Sequence, residues 1–335
     1  MLRLLNSTPG RIYDVMRNDN LLAIPFFTFM GLILERSGMA EDLLETVGQL
    51  FGTVRGGLAY AVILVGTLLA ATTGVVAASV ISMGLISLPI MLRYGYDRRL
   101  ASGTIAASGT LAQIIPPSLV LIVLADQLGR SIDDMYKGAL VPGLLLAASY
   151  AFFVFLITLK KPGFAPGLPQ DQILGSPLQR SQGLLSIVIL SILSGCFGTL
   201  CLTNSNYSGM DYVILSISLG VLFAFALASA NRVLKRITGL TLLPSLAERV
   251  VFVMVPPLVL IFIVLGTILV GIATPVEGGA MGAVGAVLLA FGKRMIKKDP
   301  KRLNSSILQQ ATEATAKLST FVLFILIGAR IFSLT

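Results

Sequence analysis

Histidine and tryptophan are both missing from the 335 residues, and only 12% of the chain is charged. Without histidine there is no imidazole to act as general base or to ligate zinc or haem iron. Cysteine occurs twice, as Cys196 and Cys201, in one apolar segment without metal-ligand spacing, so both read as small apolar helix residues. Asp97 and Asp126 lie at the ends of apolar segments, and no nucleophile–base pair or metal cluster can be assembled, which makes an enzyme a poor fit. Charge is scarce as well, because a soluble domain of this length carries about twice that charged fraction. The net charge of +9 falls in short loops between apolar segments, a positive-inside pattern that argues against a nucleic-acid partner. The opening "MLRLLNSTPGRIYDVMRNDN" is polar and mixed in charge, unlike a secretory signal.

What is present is apolar. The chain is 55% hydrophobic with a mean hydropathy of +0.89, and runs of 18 or more apolar residues recur along it. The expected fold is all-α: a polytopic helical membrane protein, a single integral membrane domain over residues 1–335. The short alternating segments of a membrane β-barrel do not occur in the sequence.

Residues 21–34 form a first, short apolar segment, and the stretch after it has Leu43, Leu44, Val47, Leu50 and Phe51 at helical spacing, as in an interfacial helix. Residues 57–92 are uncharged; this run of 36 is too long for one span and too short for two with a loop. Its middle, "ATTGVVAAS", is small and hydroxylated, which predicts two half-helices meeting at Thr72, Thr73 and Gly74. Arg55 precedes the run and Arg93, Arg98 and Arg99 follow it, so both ends lie inside and the run is a re-entrant hairpin.

Residues 100–125 cross outward but contain "SGTLAQIIPPS". A proline costs about 3 kcal/mol inside a helix, so the Pro116–Pro117 pair predicts a discontinuous span. Residues 138–159 return to Lys160 and Lys161; 160–182 read as a cytoplasmic loop, 183–203 and 212–230 as two spans, and 249–271 with 276–292 as an antiparallel pair turning at "GIATPVEGG". Glu277 there reads as a helix-start residue. The likeness of Gly66-Thr67-Leu68-Leu69 to Gly266-Thr267-Ile268-Leu269 reads as chance, since the charges make one a hairpin arm and the other an ordinary span. The last segment, from about 318, ends without a polar flank, which reads as a fragment of a longer protein.

Non-helical backbone at membrane depth is tolerated only where protein buries it or a cavity meets it. Two such places are expected here and should face each other. Broken helices offer carbonyls to a cation and half-helix starts to an anion. Hydroxyls come from Thr72, Thr73, Ser79, Ser108, Thr110 and Ser118, with Gly74, Gly109, Pro116 and Pro117 shaping the breaks. No carboxylate lies within either break, which suits Na+ near Thr73, Gly74, Ser108 and Thr110 better than a proton relay. Taken singly, each hydroxyl has the plainer reading of close helix packing.

The segments "NLLAIPFFTFMGLILERSGMAEDLLE", "RGGLAYAVILVGTLLAATTGVVAASV", "LPIMLRYGYDRRLASGTIAASGTLAQIIPPS" and "GIATPVEGGAMGA" together resemble the DctM-like large membrane subunit of tripartite ATP-independent periplasmic (TRAP) transporters. The resemblance spares only about 165–240, where 183–230 looks like a two-helix insertion. It implies an elevator-type symporter of the bacterial inner membrane that takes up an organic acid with Na+. A periplasmic binding protein (DctP-like) would deliver the solute and a small membrane subunit (DctQ-like) would flank the permease. No cofactor beyond Na+ as coupling ion is implied. Residues 57–126 would be the first half of the transport core. Family hairpin tips read Ser-Gly-Ser where this chain has Thr73, Gly74 and Val75, so a side-chain ligand at Val75 is lost. The resemblance also implies about two more helices before Met1, and a second hairpin and Pro-Pro break beyond Thr335. Two other readings stay open: a binding-protein-independent Na+/carboxylate transporter, and an inactive truncated membrane component.

Overall fold

A computed structural model describes residues 2–52, 54–73, 76–168, 177–203, 209–238, 245–297 and 303–332. Apart from loops and short 3-10 turns, these residues are α-helical, with no strand among them. An amphipathic α1 (Leu2–Met16) leads through a 3-10 turn to α2 (Ala23–Arg36) and α3 (Met39–Phe51). Then come the hairpin arms α4 (Gly57–Thr73) and α5 (Val76–Arg93), followed by α6 (Arg98–Thr110) and α7 (Leu119–Leu128) on either side of the Pro-Pro sequence. Six longer helices complete the chain: α8 (Ile132–Lys160), α9 (Pro177–Leu202), α10 (Met210–Thr238), α11 (Ser245–Leu269), α12 (Pro275–Lys297) and α13 (Ser305–Phe332).

Those six are long and apolar enough to cross a bilayer, and α2 with α3 makes a seventh candidate. The hairpin arms and α7 have only shorter apolar stretches, Gly57–Leu69, Ser79–Arg93 and Leu119–Leu128. Helix α3 differs from the expected interfacial helix. It continues α2 through a 58° bend at Ser37 and Gly38, and buries Ala40, Leu43, Leu44 and Val47 against α4. The reason is electrostatic as well as apolar: Asp42 pairs with Lys293 of α12, and Glu45 with Arg249 of α11 at 3.1 Å.

Local chemistry sets the helix ends. The Asp97 carboxylate accepts from the Arg99 and Leu100 amides and starts α6. Thr274 and Glu277 cap α12 reciprocally: Glu277 accepts from the Thr274 amide and hydroxyl at 2.8 and 3.0 Å, and its own amide donates to Thr274 Oγ1 at 3.3 Å. Glu277 is thus a helix-start residue, as its sequence context suggests. Helices α9 and α10 lie close because their small residues mesh; a Cβ on Gly220 would stand 2.6 Å from the Ser194 carbonyl oxygen. A second proline pair, Pro256–Pro257, lies within α11 without ending it.

Two sets of contacts identify the ends of the bundle. At one end three main-chain bonds, each 2.9 Å, join the loops around the hairpin base: Gly56 N to Ala165 O, Asp97 N to Phe164 O, and Leu168 N to Gly52 O. Arg55, Arg93 and Lys160 therefore share one side, as their charge predicts. Arg36 donates to Gln310 of α13 at 2.9 Å on the α2 terminus nearer that side. At the opposite end Asp126 takes Asn18 and lies 3.6 Å from Arg330.

Candidate functional site: the hairpin against the Pro-Pro break

The hairpin and the Pro-Pro break pack directly on each other. Both α4 and α5 contact α6, and both also contact the 3-10 turn Leu111–Gln113 that follows it. The closeness depends on two glycines. A Cβ on Gly66 of α4 would stand 2.6 Å from Ser108 Cβ and 2.9 Å from Ser108 Oγ. A Cβ on Gly109 would meet the backbone of Val80 in α5, with Val80 Cα and N both at 3.2 Å, and would overlap its side chain. Ser108 and Gly109 are therefore wedged between the two arms, next to Ser79, which is itself buried.

The break spans Leu111 to Ser118. Ile114 and Ile115 both return their amides to the Leu111 carbonyl at 3.0 Å, and the Pro116–Pro117 bond is cis. Ser118 closes the break: its hydroxyl donates to the Gln113 carbonyl at 2.7 Å, and α7 starts from it. Ser108 donates to Ile105 O at 3.0 Å and Thr110 to Ala107 O at 2.7 Å. Each hydroxyl thus spends its proton on nearby backbone and keeps oxygen lone pairs.

Of the expected site residues, Ser79, Ser108 and Gly109 are brought together. Ser118, Pro116 and Pro117 are buried on the α7 side of the break, while Thr110 is exposed. Thr72 and Thr73 end α4; their side chains, with Gly74 and Val75, lie outside the described residues.

Three contributors escape the sequence reading. Gly66 sits in an unbroken apolar run, and nothing in the run marks it as the surface on which Ser108 rests. Tyr136 of α8 is wholly buried, with its hydroxyl beside the Ser118 backbone behind the break. Helix α8 is closely fitted there, since a Cβ on Gly143 would come 2.9 Å from Ile115 Cγ1. Glu35 of α2 brings a carboxylate to the hairpin, accepting the Ser82 hydroxyl of α5. It follows "LIL" directly, so in sequence it looks like the charged flank of a span.

Among the described residues no group of three or more Asp, Glu, Cys or His converges as a metal site.

Comparison with known proteins places this geometry in context. The sequence pattern of the family described as tripartite ATP-independent periplasmic transporter, DctM component, matches residues 2–335. The C4-dicarboxylate TRAP transporter large permease protein DctM of Pseudomonas aeruginosa is 33% identical over 190 residues, which is 56% of this chain and 44% of that protein. The 2,3-diketo-L-gulonate TRAP transporter large permease protein YiaN of Escherichia coli is 32% identical over 130 residues, 39% of this chain and 31% of that protein. The isethionate TRAP transporter permease protein DctMQ of Oleidesulfovibrio alaskensis is 30% identical over 141 residues, 42% of this chain and 22% of that protein. The matched region thus spans less than half the length of each of these relatives.

Proposed function

Because the chain belongs to the DctM component family of tripartite ATP-independent periplasmic transporters, we propose that it acts as a large permease subunit. In this reading it sits in the bacterial inner membrane and takes up an organic anion with Na+. The observation that carries the reading is the close seating of a re-entrant hairpin on a discontinuous helix, with Ser108 and Gly109 wedged against Gly66 and Val80. Unwound backbone at membrane depth is costly unless it binds something or is buried for a purpose. The solutes in the relatives' names, a C4-dicarboxylate, 2,3-diketo-L-gulonate and isethionate, are all organic anions, which supports an acid as cargo.

In mechanism, the lone pairs of Ser108 and Thr110, with carbonyls of the break and the hairpin tip around Thr73 and Gly74, would hold Na+. The bound positive charge would then favour an anion beside it, and the start of α7 at Ser118 would add the positive end of a half-helix. A periplasmic binding protein and a small membrane subunit would complete the system. Uptake of radiolabelled organic acids by cells carrying the complete operon, with and without Na+, tests the reading. Thr73→Ala, Ser108→Ala and Thr110→Ala should each lower Na+-driven uptake by tenfold or so, about 1.4 kcal/mol at room temperature. Unchanged Na+ dependence in all three would overturn the site.

A further inference from the structure

The two breaks absorbed by the proposed site are joined by a third, between α2 and α3. There Ser37 is fully buried with its hydroxyl on Leu34 O at 3.0 Å, Gly38 takes φ 70°, and the helix axes turn through 58°. Glu35 lies two residues before this turn. One of its carboxylate oxygens, Oε2, is buried without a hydrogen-bond partner, and the carboxylate accepts the Ser82 hydroxyl. Ser82 is six residues from the start of α5 at Val76 and eleven from its end at Arg93. At 1.5 Å per residue that is about 9 Å below the hairpin break and about 16 Å from the basic end, so the contact lies inside the membrane's depth.

Among the described residues, the charged groups around Glu35 leave it without an ion-pair partner of its own. Arg36 is the adjacent charge, and its guanidinium is turned to Gln310 of α13. On α3, Asp42 is engaged by Lys293 of α12 and Glu45 by Arg249 of α11. Helix α4 carries no charged residue and α5 none before Arg93, while Glu313 and Lys317 of α13 are exposed. An ionised carboxylate with a buried, unpartnered oxygen costs several kcal/mol, whereas the protonated acid needs no counter-charge. Ionisable groups at this depth mark proton or ion paths.

We propose that Glu35 is a proton-binding site at the contact between α2 and the hairpin arm α5. It takes one proton from water and holds it while Ser82 is seated against it; withdrawal of the arm returns the proton to water. The proposal rests on the transporter reading for the motion of the arm, but the bound proton can be detected without transport.

Infrared difference spectroscopy of the purified 335-residue chain in lipid nanodiscs, stepped in pH through neutrality, is the test. The wild-type chain should show a protonated-carboxyl C=O band at pH 7 that is lost in Glu35→Gln. In Ser82→Ala the band should shift in frequency, because the hydrogen bond is gone while the acid remains. Identical spectra for wild type and Glu35→Gln would overturn the proposal, and an unmoved band in Ser82→Ala would overturn the Ser82 contact. Both results are independent of Na+-driven uptake, so failure here and failure of the transporter reading are distinguishable.

Discussion

At the scale of single residues, the site is defined by what is too small to clash. Ser108 and Gly109 reach the hairpin only because Gly66 has no side chain and Gly109 leaves room for Val80. Gly66→Ala and Gly109→Ala should each destabilise the chain by about 1–3 kcal/mol, the cost of overpacking a fitted contact. Gly103→Ala is the internal control: its Cβ would meet nothing within 4 Å on an exposed face of α6, so the helix should gain up to about 1 kcal/mol. Thermal unfolding in one detergent ranks the three.

Tyr96, in the loop before α6, makes a second residue-level case. Its hydroxyl accepts from the Leu58 amide at 3.1 Å, closing the open start of α4, and burial pushes its pKa up to about 12. Raising an acid's folded pKa above its unfolded value of about 10 makes the unfolded state the first to lose its proton. Stability should therefore hold below pH 10 and fall as the pH climbs from about 10 towards 12. Tyr96→Phe should remove that slope, at a cost near 1 kcal/mol at neutral pH from the unpaired amide. Denaturant unfolding across that range compares the two.

Elements were legible where periodicity or charge spoke, and obscure where tertiary contact decided. The hairpin and the break at Pro116–Pro117 follow from an uncharged 57–92 run flanked by arginines and from prolines set among Ser, Gly and Gln. Pro256–Pro257 shows why prolines alone would mislead: embedded between Val255 and Leu258, with no polar flank, they leave α11 continuous. Helix α3 is the exception. Its apolar stripe is that of an interfacial helix, but Lys293 and Arg249, more than 200 residues away, hold Asp42 and Glu45 and turn it into a bent continuation of α2. No local pattern carries such a pairing. The two bonds should differ in strength: Asp42 is nearly buried, whereas both partners of Glu45–Arg249 are about half exposed. Lys293→Met should cost roughly 3 kcal/mol by stranding a buried carboxylate. Arg249→Ala should cost no more than about 1 kcal/mol. Chemical unfolding of the two variants, followed by helical circular dichroism, checks the order.

Over the whole molecule, charge predicts which loops share a side. Arg55, Arg93 and Lys160 are expected together from the sequence, and main-chain bonds among their loops put them at one end; Asn18, Asp126 and Arg330 gather at the other. Between those ends lie three breaks, two of them packed on each other and the third bringing Glu35 to the hairpin. The first two are legible in sequence from hydroxyls, glycines and prolines. The contact of Glu35 is not, because Glu35 borders an apolar run and meets Ser82 only in the fold.

The central claim is that hairpin and Pro-Pro break together bind Na+. Unfolding of the purified 335-residue chain in rising NaCl, with choline chloride holding ionic strength constant, tests it most directly. The account predicts saturable, Na+-specific stabilisation, reaching about 2.7 kcal/mol at one hundred times the dissociation constant, and its loss in Thr110→Ala. Equal stability in Na+ and choline at every concentration would contradict it.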